Sequence, residues 1–438
     1  MTSRTTTPSP YLEKAARLHE RLISFDGHLD IPLEFGTPGF EADMDGAGKF
    51  DIPKIRRGKL SGAAATIHAA VLRPTAKGHA AGRAEHERRF AALTQMARDF
   101  PQDVGIAASP QQFRELVAQK KFAIVLAFQN AAPLDNGLGD LDAWAARGIS
   151  IFAFTFIGNN AWADSARPYP YVNGGLHWNG LSPLGKQAVS RLNDLGVLID
   201  VSQLSSAAFN DVIAQSRVPV LASHSGVRTQ VDVDRNFSDT ELKNLQRNGG
   251  LIQIVGFAPY LKYLDDRMIA DLRSTWRRFG LNAPDNPSDM LSVNDPATVE
   301  WPEDRFWDFL HEFHVVLDLE RPIASTSHLV DAIDHAVGLI GIDHVGIASD
   351  FNHAGGLSDW MDVSESMNVT AELLTRGYEE EAIAKLWGEN FLRIWQVALD
   401  ERAKPAIFSP DSRTGSTLDA EPGRASPMPA PQGRNRNR

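Results

Sequence analysis

The stretch Phe25-Asp26-Gly27-His28-Leu29-Asp30 ends an apolar run with an imidazole and a carboxylate two positions apart. On a strand, residues i and i+2 point to one face, so His28 and Asp30 project together, about 7 Å apart along the chain. That is a pair of convergent metal-capable side chains or a solvent-facing edge. Other polar groups end apolar runs in the same way: His68, Gln129, Gln203, His224 and Asp350. Imidazoles and carboxylates gathered at one place can hold a divalent ion and move protons.

The elements that must position these groups are eight near-continuous apolar runs, at 22–31, 62–71, 122–130, 150–156, 197–203, 218–225, 250–257 and 344–351. Such runs are the pattern of parallel strands covered on both faces. Amphipathic helical patterns fall between them at 82–99, 138–146, 183–195, 205–215, 239–248 and 326–340. Repeated strand–helix alternation predicts a (β/α)8 TIM barrel rather than an open sheet. The gap from 257 to 344 holds an extra helix near 304–317 as a rim insertion, and 363–402 reads as two or three closing helices. The polar residues then sit at the C-terminal strand ends, the face that carries the chemistry of such barrels. Residues 10–403 form the barrel domain. The Thr/Ser/Pro-rich 1–9 is read as flexible, and the Pro/Ser/Gly/Arg-rich 404–438 as disordered, since neither has enough apolar surface to offset its ordering entropy.

Composition narrows the function. The chain has 438 residues, 43% hydrophobic and 23% charged, with a formal charge of −11. An acidic chain without a long basic run argues against a nucleic-acid partner. The absence of cysteine excludes disulfides, thiolate nucleophiles and Cys–zinc sites, leaving His, Asp, Glu and neutral oxygens for any metal. No segment reads as a secretory leader, a lipid-anchor signal or a membrane span, so the cytoplasm is the expected location. Two motifs are decoys. Gly180–Gln187 fits a Gly-x4-Gly-Lys loop, but Gln187 replaces the Mg-binding hydroxyl. His311-Glu312-Phe313-His314 is one residue short of a zinc-protease pair and reads as a surface face.

Several ordered blocks resemble the membrane (renal) dipeptidases, a zinc-dependent branch of the amidohydrolase superfamily. They are Asp26–Asp30, "GLSPLGKQAVSRLNDLGVLIDVS" (180–202), "SHSGVR" (223–228) with "RNFSD" (235–239), "HVGIASDF" (344–351) and the closing segment 376–395. The resemblance implies hydrolysis of a small dipeptide-like substrate and a possible homodimer. It gives His28 and Asp30 to one metal and His224 to a second. Asp350 would be a metal ligand or the general base and acid, and Arg235 would hold the substrate carboxylate.

Three positions depart from the family pattern. Gln129 stands where the resemblance implies a Glu bridging two metals, Gln203 where it implies a ligand His, and Phe156 where it implies a carbonyl-polarising His. A Gln amide is neutral and offers one acceptor oxygen. With Asp30 and Asp350 as the counted carboxylates, protein charge balances one divalent ion, and a second, uncompensated ion would cost several kcal/mol. The expectation is therefore one zinc ion on His28, Asp30 and Asp350, with His224 a fourth ligand or an acid/base, and a second site weak or empty. Gln129, Gln203 and Phe156 would line the substrate pocket, while His68 and His353 are left open. The alternatives are a divergent enzyme for a non-peptide amide, ester or lactone, or a non-catalytic small-molecule-binding barrel.

Overall fold

The computed structural model describes residues 10–70, 73–173, 176–317 and 321–402. Ten strands occur in order: β1 Phe25–Asp30, β2 Gly62–His68, β3 Val104–Ile106, β4 Phe122–Gln129, β5 Ile151–Ala153, β6 Leu198–Asp200, β7 Leu221–Val227, β8 Asn236–Phe237, β9 Leu251–Val255 and β10 Val345–Ala348. Eight of them form one parallel sheet in the order β1-β2-β4-β5-β6-β7-β9-β10. It closes between β10 and β1 through the Leu29–Phe351 bridge, with Asp350 N–H donating to the His28 carbonyl (2.9 Å) and Asp30 N–H to that of Phe351 (3.0 Å). The expected (β/α)8 TIM barrel is the observed architecture.

The eight barrel strands are buried along their whole length, which explains their apolar composition. Helices between them start on hydroxyl caps: Ser109, Ser182, Ser205 and Ser238 each accept a backbone N–H of the first turn. Each cap satisfies a donor the helix itself leaves unpaired. Strands are shorter than the apolar runs, since the flanking residues already turn into loops. The helix expected at 82–99 starts earlier, at Ala76, on the Thr75 cap. The two short strands β3 and β8, only three and two residues long, carry no readable pattern. They pair at the sides of β4 and β7.

The two ends of the barrel differ. At the N-terminal end, Phe25 stacks on Phe391 (ring centroids 4.1 Å), and Leu392, Ile394 and Trp395 of the last helix join the strand starts in one apolar cluster. At the C-terminal end, helices Asp266–Arg278 and Glu303–Leu317 of the expected rim insertion pack a separate aromatic core of Trp276, Phe306, Phe309 and Phe313 against Phe156 and Tyr169. No described helix is long and apolar enough to cross a membrane. The stretches 1–9 and 404–438 lie outside the described residues.

Candidate metal centre and active site

Asp30, at the end of β1, is the hub of the site. Its Oδ1 lies 3.4 Å from His28 Nε2 and 3.6 Å from His68 Nδ1. Its Oδ2 lies 3.3 Å from His353 Nδ1. A Cβ at Gly27 would come within 2.2 Å of the Gln253 side-chain amide on β9, so the glycine lets that amide pack against β1. Asp350 and His353 arrive on the loop after β10. Asp350 and Asn352 both adopt positive φ, 60° and 63°, a conformation that Asp and Asn tolerate better than most residues. The loop is fixed by Asn352 Nδ2–H donating to the Asp30 carbonyl (3.0 Å) and Gly355 N–H to that of Asp350 (2.8 Å).

Among the described residues, three sets could hold a metal through donors within 4.8 Å of one another: His28/Asp30/Asp350, Asp30/His68/His353 and His28/Asp200/His224. The third is already filled by a hydroxyl. Ser223 Oγ lies 2.6 Å from Asp200 Oδ2, 2.7 Å from His224 Nδ1 and 3.0 Å from His28 Nδ1. The Asp200 carboxylate only accepts, so Ser223 donates to it, and both Nδ1–H groups donate to Ser223. That fixes the tautomers and leaves both Nε2 atoms with lone pairs. His28 Nε2 turns towards Asp30. His224 Nε2 instead meets the amide Nε2 of Gln203 at 2.9 Å and accepts its hydrogen.

Burial sets the proton affinities. It drives His68 down to about 3 and His353 to about 4 despite the pull of Asp30, so both rings are neutral near pH 7. It also lowers His224 well below the ordinary histidine value, helped by the neighbouring His28 and Arg235 charges. Burial, opposed by His28 but reinforced by the charge on Asp30, pushes Asp350 up to about 7. Burial would raise Asp30 too, but His68, His28 and His353 around it hold its carboxyl well below the usual range. His28 moves the other way: burial disfavours its charge, but Asp30 and Asp350 outweigh that and raise it. A proton and a metal ion would compete there for the same Nε2. The donors fit a divalent ion, because Asp30 Oδ1 and His68 Nδ1 are buried without a hydrogen-bond partner. Orphaned donors of this kind are costly unless something pairs with them.

The pocket above these groups is walled by Phe156, Arg167, Arg235 and Tyr260, and roofed by Trp307 and Phe313 of the insertion. Arg235 is buried, and its Nη atoms donate to the carbonyls of Ser202 and His224 (the latter at 3.0 Å) and to Ser225 Oγ. Arg167 reaches Gln203 Oε1 at 3.4 Å. In both arginines Nε is buried and unpaired. Gln129 also lines the pocket, with both side-chain polar atoms unpaired. His314, exposed as the surface-face reading of 311–314 expects, also lines it.

The family described as membrane dipeptidase (Peptidase family M19) matches residues 12–406. The chain belongs to the membrane dipeptidase family. Its fold superposes on the crystal structure of the probable dipeptidase PvdM from Pseudomonas aeruginosa with a TM-score of 0.85 and 48% identity, covering 90% of this chain and 100% of that one. Dipeptidase verJ of Clonostachys rogersoniana is 24% identical over 87% of this chain and 86% of its own. Dipeptidase tcpJ of Claviceps purpurea is 27% identical over 65% of this chain, which spans about half (52%) of that relative's length.

Within this dipeptidase-family barrel, every candidate site residue read from the sequence reaches the C-terminal pocket or its floor, though not always in the expected state. His224 sits at the site, but its Nε2 is taken by Gln203, which argues against the expected role as fourth ligand or acid. Arg235 reaches the pocket with most of its fork committed to carbonyls, leaving Nε–H for a ligand. Asp200, Ser223 and Arg167 were missed. Asp200 and Ser223 lie inside the quoted motifs, and counting buried carboxylates in those motifs would have found Asp200. Arg167 sits in an irregular loop with no periodic signal.

Proposed function

We propose that this chain is a zinc-dependent hydrolase of dipeptide-like substrates. The observation that carries the reading is the convergence of His28, Asp30 and Asp350 on the floor of a pocket with two unpaired arginine Nε–H groups. When bound, the ion supplies a Lewis acid for the carbonyl oxygen and acidifies water. The chain's residues supply the rest. Asp350 takes a proton from the attacking water as its oxygen joins the carbonyl carbon, then returns it to the departing amine as the C–N bond breaks. Arg167 and Arg235 each present an Nε–H to the substrate carboxylate, a charge-assisted pairing. Gln129 offers one free acceptor and free donors, which match the N–H and C=O of a peptide group. The Asp200–Ser223 pair orients His28 so that Nε2 remains a ligand.

The test is hydrolysis of a panel of L-X-L-Y and L-X-D-Y dipeptides by zinc-loaded full-length protein, read as amine release. Turnover of at least one member, lost in Asp350→Asn, supports the reading. Failure on the whole panel with metal bound contradicts it. The second reading would then stand: a divergent enzyme acting on a non-peptide amide, ester or lactone. Phe156 favours that reading, being apolar where the family resemblance implies a carbonyl-polarising histidine.

A further inference from the structure

We infer that Asp30, His68 and His353 form a second cation position, distinct from the one at His28, Asp30 and Asp350, for a first-row divalent transition ion. The inference rests on the reading of Asp30 as a metal ligand. The three residues come from three places, the ends of β1 and β2 and the loop after β10. Their donor atoms nevertheless converge, with separations of 3.6 Å (His68 Nδ1 to Asp30 Oδ1) and 3.3 Å (His353 Nδ1 to Asp30 Oδ2). Ligand atoms about 2.0–2.2 Å from one metal ion stand at such distances from each other. An independent observation points to a missing partner. His68 is only 6% exposed, yet its Nδ1, which belongs to this set and not to the one at His28, has no hydrogen-bond partner.

The donor set names the class of ion. Two imidazole nitrogens and one carboxylate oxygen suit Zn2+, Co2+ or Fe2+, whereas Mg2+ and Ca2+ prefer oxygen cages. Three protein ligands also leave coordination positions open, as catalytic sites do. Charge does not forbid the second ion as simply as a count of Asp30 and Asp350 suggests. Asp200 is a third buried carboxylate, one hydroxyl away from His28. The location matters for the chemistry. His353 meets the Phe156 ring edge-on with centroids 5.1 Å apart, and His68 lies 6.2 Å from it. Positive charge there would stand beside Phe156, on the side of the pocket where the expected carbonyl-polarising histidine is absent.

The test is equilibrium dialysis of the full-length protein against Co2+, with metal analysis, for the wild type and for His353→Ala, His68→Ala, His28→Ala and Asp30→Asn. The expected result is two equivalents for the wild type, one for each histidine variant and none held tightly by Asp30→Asn, with excess Mg2+ not competing. If His68→Ala fails to fold, His353→Ala decides, because that side chain is about a third exposed at the pocket. Unchanged stoichiometry and affinity in His353→Ala overturns the inference. One wild-type equivalent lost in His28→Ala but kept in His353→Ala overturns it while leaving the proposed function standing. One equivalent lost in His353→Ala but kept in His28→Ala supports it and removes the centre assumed for that function. No bound Co2+ in the wild type overturns both.

Discussion

The two sides of the pocket use similar residues in opposite ways. On the β1–β2–β10 side, Asp30, His28, His68 and His353 point donors at shared space, and two of the buried atoms have no partner. On the β6–β7 side, His224 is closed off: Gln203 takes its Nε2, Ser223 takes its Nδ1, and Asp200 accepts from Ser202 and Ser223. Histidine and carboxylate occur on both sides, so residue type alone does not mark a metal site. What separates the sides is whether the hydrogen bonds are already satisfied by protein. A satisfied network holds its shape without a ligand, and an unsatisfied one leaves its donors free for a ligand or an ion.

Four experiments break or sharpen this contrast. The largest effect is expected for Asp350→Asn, which removes the proposed proton carrier and should lower turnover by about 10²–10⁴-fold; steady-state kinetics at saturating metal would measure it. Opening the closed side is next. Gln129→Glu combined with Gln203→His supplies an anionic bridge and a second imidazole beside His224, and metal analysis should find one additional equivalent. An unchanged count would mean that the amides are not what keeps metal from that side. Ser223→Ala removes the hydroxyl that fixes both histidine tautomers, and metal affinity should fall by roughly 10–100-fold in a competition titration with a chelating dye. The smallest effect concerns folding. His86 donates from Nε2 to the Gln129 carbonyl (3.0 Å), and burial holds the ring down at about 4. A folded value below the unfolded one near 6.5 means that protons favour the unfolded chain, so stability falls as pH drops from 6.5 towards 4. Between pH 6.5 and 5.5 the loss from this ring is about 1 kcal/mol. Urea unfolding of His86→Gln should show a correspondingly shallower acid slope than the wild type.

Much of this was legible in the sequence, for identifiable reasons. The barrel could be read because parallel strands covered on both faces must be apolar throughout, and eight such runs alternate with helical patterns. His28, Asp30 and Asp350 could be placed because a polar group ending an apolar strand has one destination in that fold. The strands β3 and β8 could not, since two or three residues carry no period. His353 stayed open because its position depends on two left-handed residues in one loop, Asp350 and Asn352, and on a Gly355 whose Cβ would meet the Ser349 carbonyl oxygen at 1.9 Å. The closure of His224 was hidden for a related reason. The sequence shows Gln203 as a neutral amide in place of a ligand histidine, but that this amide caps the His224 imidazole on the next strand is a fact of geometry. Arg167 comes from an irregular loop that no pattern marks.

Anomalous scattering from zinc-grown crystals tests the central claim most directly. The account predicts density bonded to Asp30, with His224 Nε2 still against the Gln203 amide and no ion between them. An ion coordinated by His224 Nε2, with Gln203 turned away, would contradict it.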